Sequence, residues 1–490
     1  MKYFSTRGGE EINSSASAII KGIADDKGLF VPAEIPALGC SLDELSEMQY
    51  KDIARKVIGA FFDDYSEEEI DACVDGAYDE KFDSEEIVPI VKAGNAFFME
   101  LYHGRTSAFK DMALSILPYL MTTAVKKSRE EKKICILTAT SGDTGKAALE
   151  GFSGVPGTEI IVFYPESGVS AVQKMQMVTQ EGENTHVFAI KGNFDDAQQG
   201  VKKIFNDKGI SERLSEKGYR LSSANSINIG RLIPQVAYYV YGYGRLLSEG
   251  VISAGDSINI VVPTGNFGNI LAAYYASLMG IPVNKFICAS NENKVLTDFI
   301  NTGVYDARRE FHLTSSPSMD ILISSNLERL IYHLSGGNAS EISGLMKRLD
   351  SDRVYEVSGD IKDGLACFYG GFSDMAETDD AIKEMYHENK YLMDTHTAVA
   401  YKVYSDYRRI TGDVRPSLIA STASPFKFSG SVAKAIGLDV TGDEFECLKE
   451  LSLGTGVSVP EGLRDLDKRE VRHTDVIGID EMPDAVFSAL

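Results

Sequence analysis

The segment Leu101-Tyr-His-Gly-Arg-Thr-Ser-Ala-Phe-Lys110-Asp-Met112 places one lysine between a glycine-containing turn and the predicted start of an apolar helix. The N-terminal end of a helix carries partial positive charge, which disfavours an ammonium group there. A lysine in this position is therefore biased toward the free amine, the form that attacks aldehydes and makes Schiff bases. The same pattern also fits a solvated surface lysine, so its interpretation depends on the rest of the chain.

Downstream of Lys110, short apolar segments alternate with helical patterns. Strands are predicted at 134–137, 159–164, 186–190, 219–222, 258–262 and 286–289, with helices from Thr144, at 173–180, from Asp195, at 232–248 and from Asn269. Strands that alternate with helices indicate βαβ units and a mostly parallel sheet, so the predicted fold class is α/β. Upstream, residues 41–80 predict two amphipathic helices, each opened by a capping box at Ser41 and Ser66.

Two loops follow predicted strands and carry chemistry. The first is Thr138-Ala-Thr-Ser-Gly-Asp-Thr-Gly145, which offers hydroxyls and one carboxylate; the second is Pro263-Thr-Gly-Asn-Phe-Gly-Asn269. Parallel sheets bind ligands at the carboxyl ends of their strands, and the glycines of the second loop let backbone N–H groups converge on phosphate oxygens. Neither loop matches a Walker A motif or a GxGxxG fingerprint, which disfavours nucleotide hydrolysis.

The lysine and the two loops together indicate a cofactor. Pyridoxal 5′-phosphate (PLP) needs an amine for its aldehyde, amide donors for its phosphate and a partner for its pyridine nitrogen, and an amino-acid substrate needs a second set of donors for its carboxylate. The three segments offer these groups.

Composition limits the remaining classes of function. The chain has 490 residues, 43% of them apolar, and a formal net charge of −23, which argues against nucleic-acid and membrane binding. The six cysteines lie far apart without a CxxC pair, and no signal-peptide or membrane-spanning segment is evident, so we expect a cytoplasmic protein. The histidines form no metal-binding spacing, and no metal site is expected.

At these residues the chain resembles threonine synthases of the longer bacterial and fungal kind. The resemblance runs from end to end and rests on Tyr3-Phe-Ser-Thr-Arg-Gly8, 24–32, His103-Gly-Arg-Thr-Ser-Ala-Phe-Lys-Asp111, 138–145, Asn225-Ser-Ile-Asn228 with Arg231, Ser316-Pro-Ser-Met-Asp320, 324–329, Asp394-Thr-His-Thr-Ala398 and Thr422-Ala-Ser-Pro-Phe-Lys427. Two departures stand out, because Arg105 and Thr395 replace prolines that are usual in this family.

The resemblance implies PLP fold type II, the tryptophan-synthase-β-like fold, with two parallel-sheet lobes and the cofactor between them. The implied division is an N-terminal, largely helical subdomain (1–90), a large PLP-binding domain (91–130 and 220–430), a small inserted α/β domain (131–219) and a C-terminal segment (431–490). The implied reaction converts O-phospho-L-homoserine and water to L-threonine and phosphate, in a monomer or a homodimer.

The resemblance also implies roles for individual residues. Lys110 would carry PLP as a Schiff base and then shuttle protons. Cofactor contacts are expected from Asp143, Gly265, Asn266, Phe267, Gly268, Asn269 and Thr422, with the Thr422 hydroxyl against the pyridine nitrogen. Substrate contacts are expected from Thr140, Ser141, Thr144, Asn225, Asn228, Arg231 and Lys427. His396 is expected to pack or to cap a helix rather than to act as a base.

Three alternatives stay open at the level of sequence. A phospho-lyase would release 2-oxobutanoate from the same substrate. A serine or threonine dehydratase usually carries a Ser-x-Gly-Asn loop, whereas this chain has Ser141-Gly-Asp143. A non-enzymatic protein that binds a phosphorylated ligand is disfavoured because Lys110 is retained.

Overall fold

The computed structural model describes all 490 residues. Its sixteen strands are β1 (Tyr3–Ser5), β2 (Glu11–Ile12), β3 (Phe30–Pro32), β4 (Ile90–Ala93), β5 (Ala96–Glu100), β6 (Lys133–Ala139), β7 (Thr158–Pro165), β8 (Thr185–Ile190), β9 (Tyr219–Ser222), β10 (Ile258–Pro263), β11 (Val283–Ser290), β12 (Val304–Asp306), β13 (Val354–Glu356), β14 (Phe368–Phe372), β15 (Ser417–Ser421) and β16 (Val476–Ile477).

Twenty α-helices surround these strands. They are α1 (Ser15–Lys21), α2 (Tyr50–Phe61), α3 (Glu67–Ala77), α4 (Asp111–Leu114), α5 (Leu117–Ser128), α6 (Asp143–Phe152), α7 (Ala171–Val178), α8 (Phe194–Asn206), α9 (Lys208–Glu216), α10 (Ile229–Ser248), α11 (Gly268–Leu278), α12 (Val295–Thr302), α13 (Leu327–Leu334), α14 (Ala339–Asp352), α15 (Gly359–Gly364), α16 (Met375–Asn389), α17 (Thr395–Thr411), α18 (Ser429–Ala435), α19 (Glu444–Thr455) and α20 (Met482–Ala489). No helix is both long enough and apolar enough to cross a membrane.

Two large sheets organise the molecule. The first has six strands in the order β14-β11-β10-β15-β5-β4, all parallel except for the antiparallel edge pair β4 and β5. The second has five parallel strands in the order β16-β8-β7-β6-β9. Every residue of β10 is buried, as expected for a parallel strand with helices on both faces. The predicted α/β class, with two largely parallel sheets, is confirmed.

The strands and helices predicted downstream of Lys110 are all present, with ends that differ by a few residues. The helix predicted at 232–248 is α10, which starts at Ile229. It is buried over most of its length because its own residues are largely apolar on all sides. The capping box at Ser66 is present, with Ser66 and Glu69 bonding each other's backbone N–H. The helix expected from Ser41 is wrong in type: Ser41 and Glu44 do bond each other, but a short 3-10 helix follows, and the first α-helix of this region begins at Tyr50.

The second sheet is completed by a strand from far along the chain. Val476 and Ile477 pair in parallel with Ala189 and Ile190 of β8, and α20 packs near α8. The remaining strands of this sheet all lie between residues 133 and 222, close to the proposed inserted domain of 131–219. The C-terminal segment thus shares a sheet with the proposed inserted domain. The division of the chain into domains stays a proposal.

Candidate active site

The turn that carries Lys110 is fixed by its neighbours on both sides. The carboxylate of Asp111 accepts hydrogen bonds from the backbone N–H of Thr106 at 2.8 Å and from the Thr106 hydroxyl at 2.6 Å. The backbone N–H of Phe109 donates to the carbonyl of Thr422 at 2.8 Å, just after β15. Lys110 is therefore held at the carboxyl end of the six-stranded sheet, where parallel sheets bind ligands.

The side chain of Lys110 is almost enclosed, with 11% of its surface exposed. Burial lowers the pKa of its ammonium group, the neighbouring Lys427 and Arg231 lower it further, and Asp143 opposes them. A helix dipole is not the source of this bias, as the sequence had suggested, because α4 is only four residues long and its dipole is correspondingly small. Desolvation is the main physical cause of the bias toward the free amine.

Asp143 links Lys110 to a second lysine. One carboxylate oxygen lies 3.4 Å from Nζ of Lys110, and the other lies 2.7 Å from Nζ of Lys427. Burial alone would raise the pKa of this carboxyl, but Lys427 and Lys110 hold it far below its usual range, so Asp143 is an anion. The Lys427 side chain is fully buried and also donates to the carbonyl of Thr106 at 2.9 Å. Lys427 is thus engaged inside the protein, and its proposed contact with substrate phosphate requires a rearrangement.

The loop after β6 is shaped by the hydroxyl of Thr140. This oxygen accepts from the N–H groups of Gly142 and Gly145 at 3.0 and 2.9 Å and donates to the carbonyl of Gly142 at 3.1 Å. The N-cap of α6 is Gly142, which has no side chain, so Thr140 supplies the acceptor that a capping side chain normally provides. The hydroxyls of Ser141 and Thr144 have no partner in the protein, which leaves these two side chains free to bind a ligand.

The loop after β10 presents a row of unused donors. None of the backbone N–H groups from Gly265 to Asn269 finds an acceptor in the protein, and the side-chain Nδ2 of Asn269 is buried without a partner. Phe267 adopts a left-handed conformation with φ of 63°, which turns successive N–H groups toward one side. A Cβ at Gly265 would lie 2.5 Å from the carbonyl oxygen of Ser318, so only glycine fits there. Unpaired buried donors of this kind suit a phosphate.

Ser318 connects the two loops. Its backbone packs on Gly265, and its hydroxyl lies 3.5 Å from the carboxylate of Asp143. The backbone N–H of Ser318 donates to Nε2 of His396 at 3.2 Å, and Nδ1 of His396 faces the carboxylate of Asp394 at 2.9 Å. His396 therefore holds the 316–320 loop in place.

Sequence reasoning assigned no role to two residues of this assembly. Ser318 lies in the segment Ser316-Pro-Ser-Met-Asp320, and the resemblance of this segment to the family could have pointed to a role for it. Gln173, whose side-chain N–H₂ group donates to Asp143 at 3.0 Å, had no sequence signal.

The helix α10 contributes an unpaired cation. Arg231 is 3% exposed and donates through one Nη to the carbonyl of Ala224, but its buried Nε has no partner and it forms no ion pair with a carboxylate. Burial lowers its pKa to about 10, so the group is still charged at neutral pH.

Asn228 is fully used by the protein, since its Oδ1 caps α10 at Gly230 and its Nδ2 donates to two backbone carbonyls. The side chain of Asn225 has no partner in the protein.

The residues present fit PLP. The unused amides of 265–269 match its phosphate, Lys110 is a buried amine for its aldehyde, and Thr422 is 5% exposed with a hydroxyl that has no partner in the protein. Arg105, which replaces the usual proline, points away from this centre: its side chain is 55% exposed and pairs with Glu150 at 3.1 Å.

Three family models cover most of the chain. Residues 2–78 match the threonine synthase N terminus, residues 84–360 match pyridoxal-phosphate dependent enzymes, and residues 397–485 match the threonine synthase C-terminal region.

Individual relatives agree with these models. Threonine synthase of Pseudomonas aeruginosa is 34% identical over 97% of this chain and 95% of its own length. The crystal structure of PLP-bound threonine synthase from Brucella melitensis superposes with a TM-score of 0.87 at 33% identity, covering 100% of this chain and 99% of that one. Human threonine synthase-like 1 is 41% identical over 86% of this chain, which spans only 58% of the human protein's length. The chain belongs to the threonine synthase family of PLP-dependent enzymes.

Proposed function

We propose that the protein converts O-phospho-L-homoserine and water to L-threonine and phosphate. The observation that carries this proposal is Arg231, a buried guanidinium beside Lys110 that has no carboxylate partner. An unpaired buried charge is costly, and a guanidinium binds phosphate oxygens in a planar, bidentate manner. Because neutral amides already suit the cofactor phosphate, Arg231 is left for a second anionic group, that of the substrate.

The other residues of the site have separate roles in proton transfer and in binding the substrate carboxylate. PLP, when bound, supplies an electron sink that stabilises negative charge on substrate carbons. Lys110 Nζ accepts and returns protons, which its lowered pKa favours. Asp143 fixes the positions of Nζ of Lys110 and Nζ of Lys427, and the hydroxyls of Ser141 and Thr144 bind the substrate carboxylate.

Thr422 would hold the pyridine nitrogen with a neutral hydroxyl. A hydroxyl leaves that nitrogen largely unprotonated, which weakens the electron sink and restricts the reactions that follow.

Product analysis tests this function. Purified protein with PLP and O-phospho-L-homoserine should release L-threonine and inorganic phosphate in equal amounts. Phosphate accompanied by 2-oxobutanoate would instead identify the phospho-lyase. Deamination of L-serine or L-threonine, without use of the phosphorylated substrate, would identify a dehydratase.

The Arg231→Gln variant tests the substrate contact separately. Loss of a charge-assisted contact should raise KM for O-phospho-L-homoserine roughly a hundredfold and leave PLP affinity within a factor of two. Arg245→Gln on the same helix is the control, because Arg245 is partly exposed and pairs with Glu249 at 3.2 Å, outside the candidate site. An unchanged KM in Arg231→Gln would remove this residue from the substrate site.

We further propose that the protein works in the reducing cytoplasm, which the six free cysteines support. A monomer or homodimer stays a prediction.

A further inference from the structure

Two buried tyrosines contact the side chain of Asn269, the last residue of the loop after β10. The hydroxyls of Tyr238 and Tyr239 lie 2.6 and 2.5 Å from Oδ1 of Asn269. Both tyrosines are fully buried, and Asn269 is 7% exposed. On the other side of the carboxamide, Nδ2 is buried and has no partner.

The chemistry of these contacts fixes which way the carboxamide faces. Distances of 2.5–2.6 Å are those of O–H···O bonds and are too short for an amide N–H donor. Burial raises the pKa of both tyrosine hydroxyls well above their usual range, so each keeps the proton that it donates to Oδ1. Two donors on Oδ1 leave Nδ2 on the opposite side of the carboxamide, where it has no partner in the protein, at the end of a loop whose backbone amides are also free.

The tyrosines belong to the helix face that also carries Arg231. Arg231, Gln235, Tyr238 and Tyr239 follow the i, i+4, i+7, i+8 spacing of one face of α10. The side chain of Gln235 donates to the carbonyl of Arg231 at 2.7 Å, and the Tyr238 hydroxyl also lies 3.1 Å from Oε1 of Gln235. Tyr238 therefore shares its single proton between two acceptors, whereas Tyr239 has only Asn269.

We propose that Tyr238 and Tyr239 are positioning residues that hold the Asn269 carboxamide so that Nδ2 donates to the cofactor phosphate. Without the two hydroxyls the carboxamide loses the bonds that fix its orientation, so that holding Nδ2 toward the phosphate costs binding free energy. The inference rests on the proposed function only for the placement of PLP against this loop.

Cofactor titrations test the proposal. Cofactor-free wild type, Tyr238→Phe, Tyr239→Phe and the double variant are titrated with PLP and, separately, with pyridoxal, which lacks the phosphate. The double variant should bind PLP roughly tenfold more weakly, as expected for loss of one hydrogen bond to a charged group. Its affinity for pyridoxal should change less than twofold. Tyr239→Phe should have the larger single effect.

Tyr243→Phe is the matched control. Tyr243 is a buried tyrosine on the same helix, but its hydroxyl donates to the carbonyl of Asp256 at 3.0 Å. The control should leave both affinities unchanged. In addition, the 31P resonance of bound PLP should shift in the double variant and not in the control.

The outcomes separate this inference from the proposed function. Equal weakening of PLP and pyridoxal in the tyrosine variants would show a general packing role and overturn the inference. So would additive effects when the double variant is combined with Asn269→Ala, because the tyrosines should act only through Asn269. Wild-type protein that fails to bind PLP would instead overturn the proposed function.

Discussion

The two glycine-rich loops of the site lie at equivalent ends of two different sheets, yet they are built in opposite ways. The loop of 263–269 keeps its own donors unused, and buried tyrosines bond the side chain of its last residue, Asn269. The loop of 138–145 uses its Thr140 hydroxyl to close its own turn and its Asp143 carboxylate to bind two lysines. The free donors of the 263–269 loop suit a tightly bound cofactor, whereas the conformation of the 138–145 loop is fixed by hydrogen bonds and ion pairs within the protein.

Because of this difference, we expect substitutions in the two loops to change different quantities, cofactor affinity in one and substrate turnover in the other. Changes in the 263–269 loop should act mainly on cofactor binding, because its unpaired donors have no other partner. Changes in the 138–145 loop should act on substrate binding through the free hydroxyls of Ser141 and Thr144. Changes at Thr140 and Asp143 should also act on protonation and stability, because these two side chains already have partners in the protein.

Removal of Lys110, the amine expected to carry the cofactor, should have the largest effect. In Lys110→Ala we expect turnover to fall roughly a thousandfold or more, together with loss of the visible absorption of bound PLP and of any borohydride-reducible adduct. Lys126→Ala, at an exposed lysine on α5, is the control. A reducible adduct that persists in Lys110→Ala would show that another amine holds the cofactor.

Asp143→Asn should follow in size. We expect turnover to fall roughly a hundredfold and stability to fall by about 3–5 kcal/mol, because Lys427 is left buried without a counter-ion. Since Asp143 raises the pKa of Lys110, the lysine-controlled limb of the pH–rate profile should move to lower pH. The double variant Asp143→Asn/Lys427→Met should recover part of the stability, as measured by thermal unfolding; no recovery would mean that Lys427 is not the source of the loss.

Gly265→Ala addresses the first loop. The added Cβ meets the Ser318 carbonyl at 2.5 Å, and backbone must shift to accept it. We expect PLP affinity to fall roughly tenfold, with KM for the substrate little changed once the cofactor is saturating. Gly344→Ala on α14, where the added Cβ meets nothing within 4 Å, should leave PLP affinity unchanged.

Thr140→Val should have the smallest effect. Two N–H groups lose their acceptor, so we expect a loss of about 1–2 kcal/mol in stability and a severalfold rise in KM for the substrate. PLP affinity should stay unchanged, and Thr140→Ser, which keeps the hydroxyl, should resemble the wild type. A drop in PLP affinity as large as that of Gly265→Ala would erase the distinction between the two loops.

The sequence was sufficient to predict the parts of the site that follow directly from chain order. Apolar periodicity located the strands, and the polar segments after Leu137 and Val262 therefore had to lie at strand ends. Lys110 was recognisable from the turn before it and from the likeness of that segment to a known family.

Contacts between distant segments could not be predicted in this way. Hydrophobic periodicity says which face of an element is buried but not which other element covers it. For that reason the pairing of Lys427 with Asp143, the contact of Ser318 with Gly265 and the two tyrosines behind Asn269 became visible only in three dimensions. The use of Asn228 as a helix cap was equally hidden, because an asparagine before a helix fits both a cap and a ligand.

The late pairing of β16 with β8 has a consequence for how the molecule is made. During synthesis, β8 emerges from the ribosome long before residues 476–477 exist, so its outer edge has no partner in the nascent chain. Unpaired strand edges are templates for association with other chains, and such long-range pairing is slow to form. Assembly of this sheet is therefore completed only after almost the whole chain has been translated, and until then the nascent protein carries an open edge where chaperones would be most useful.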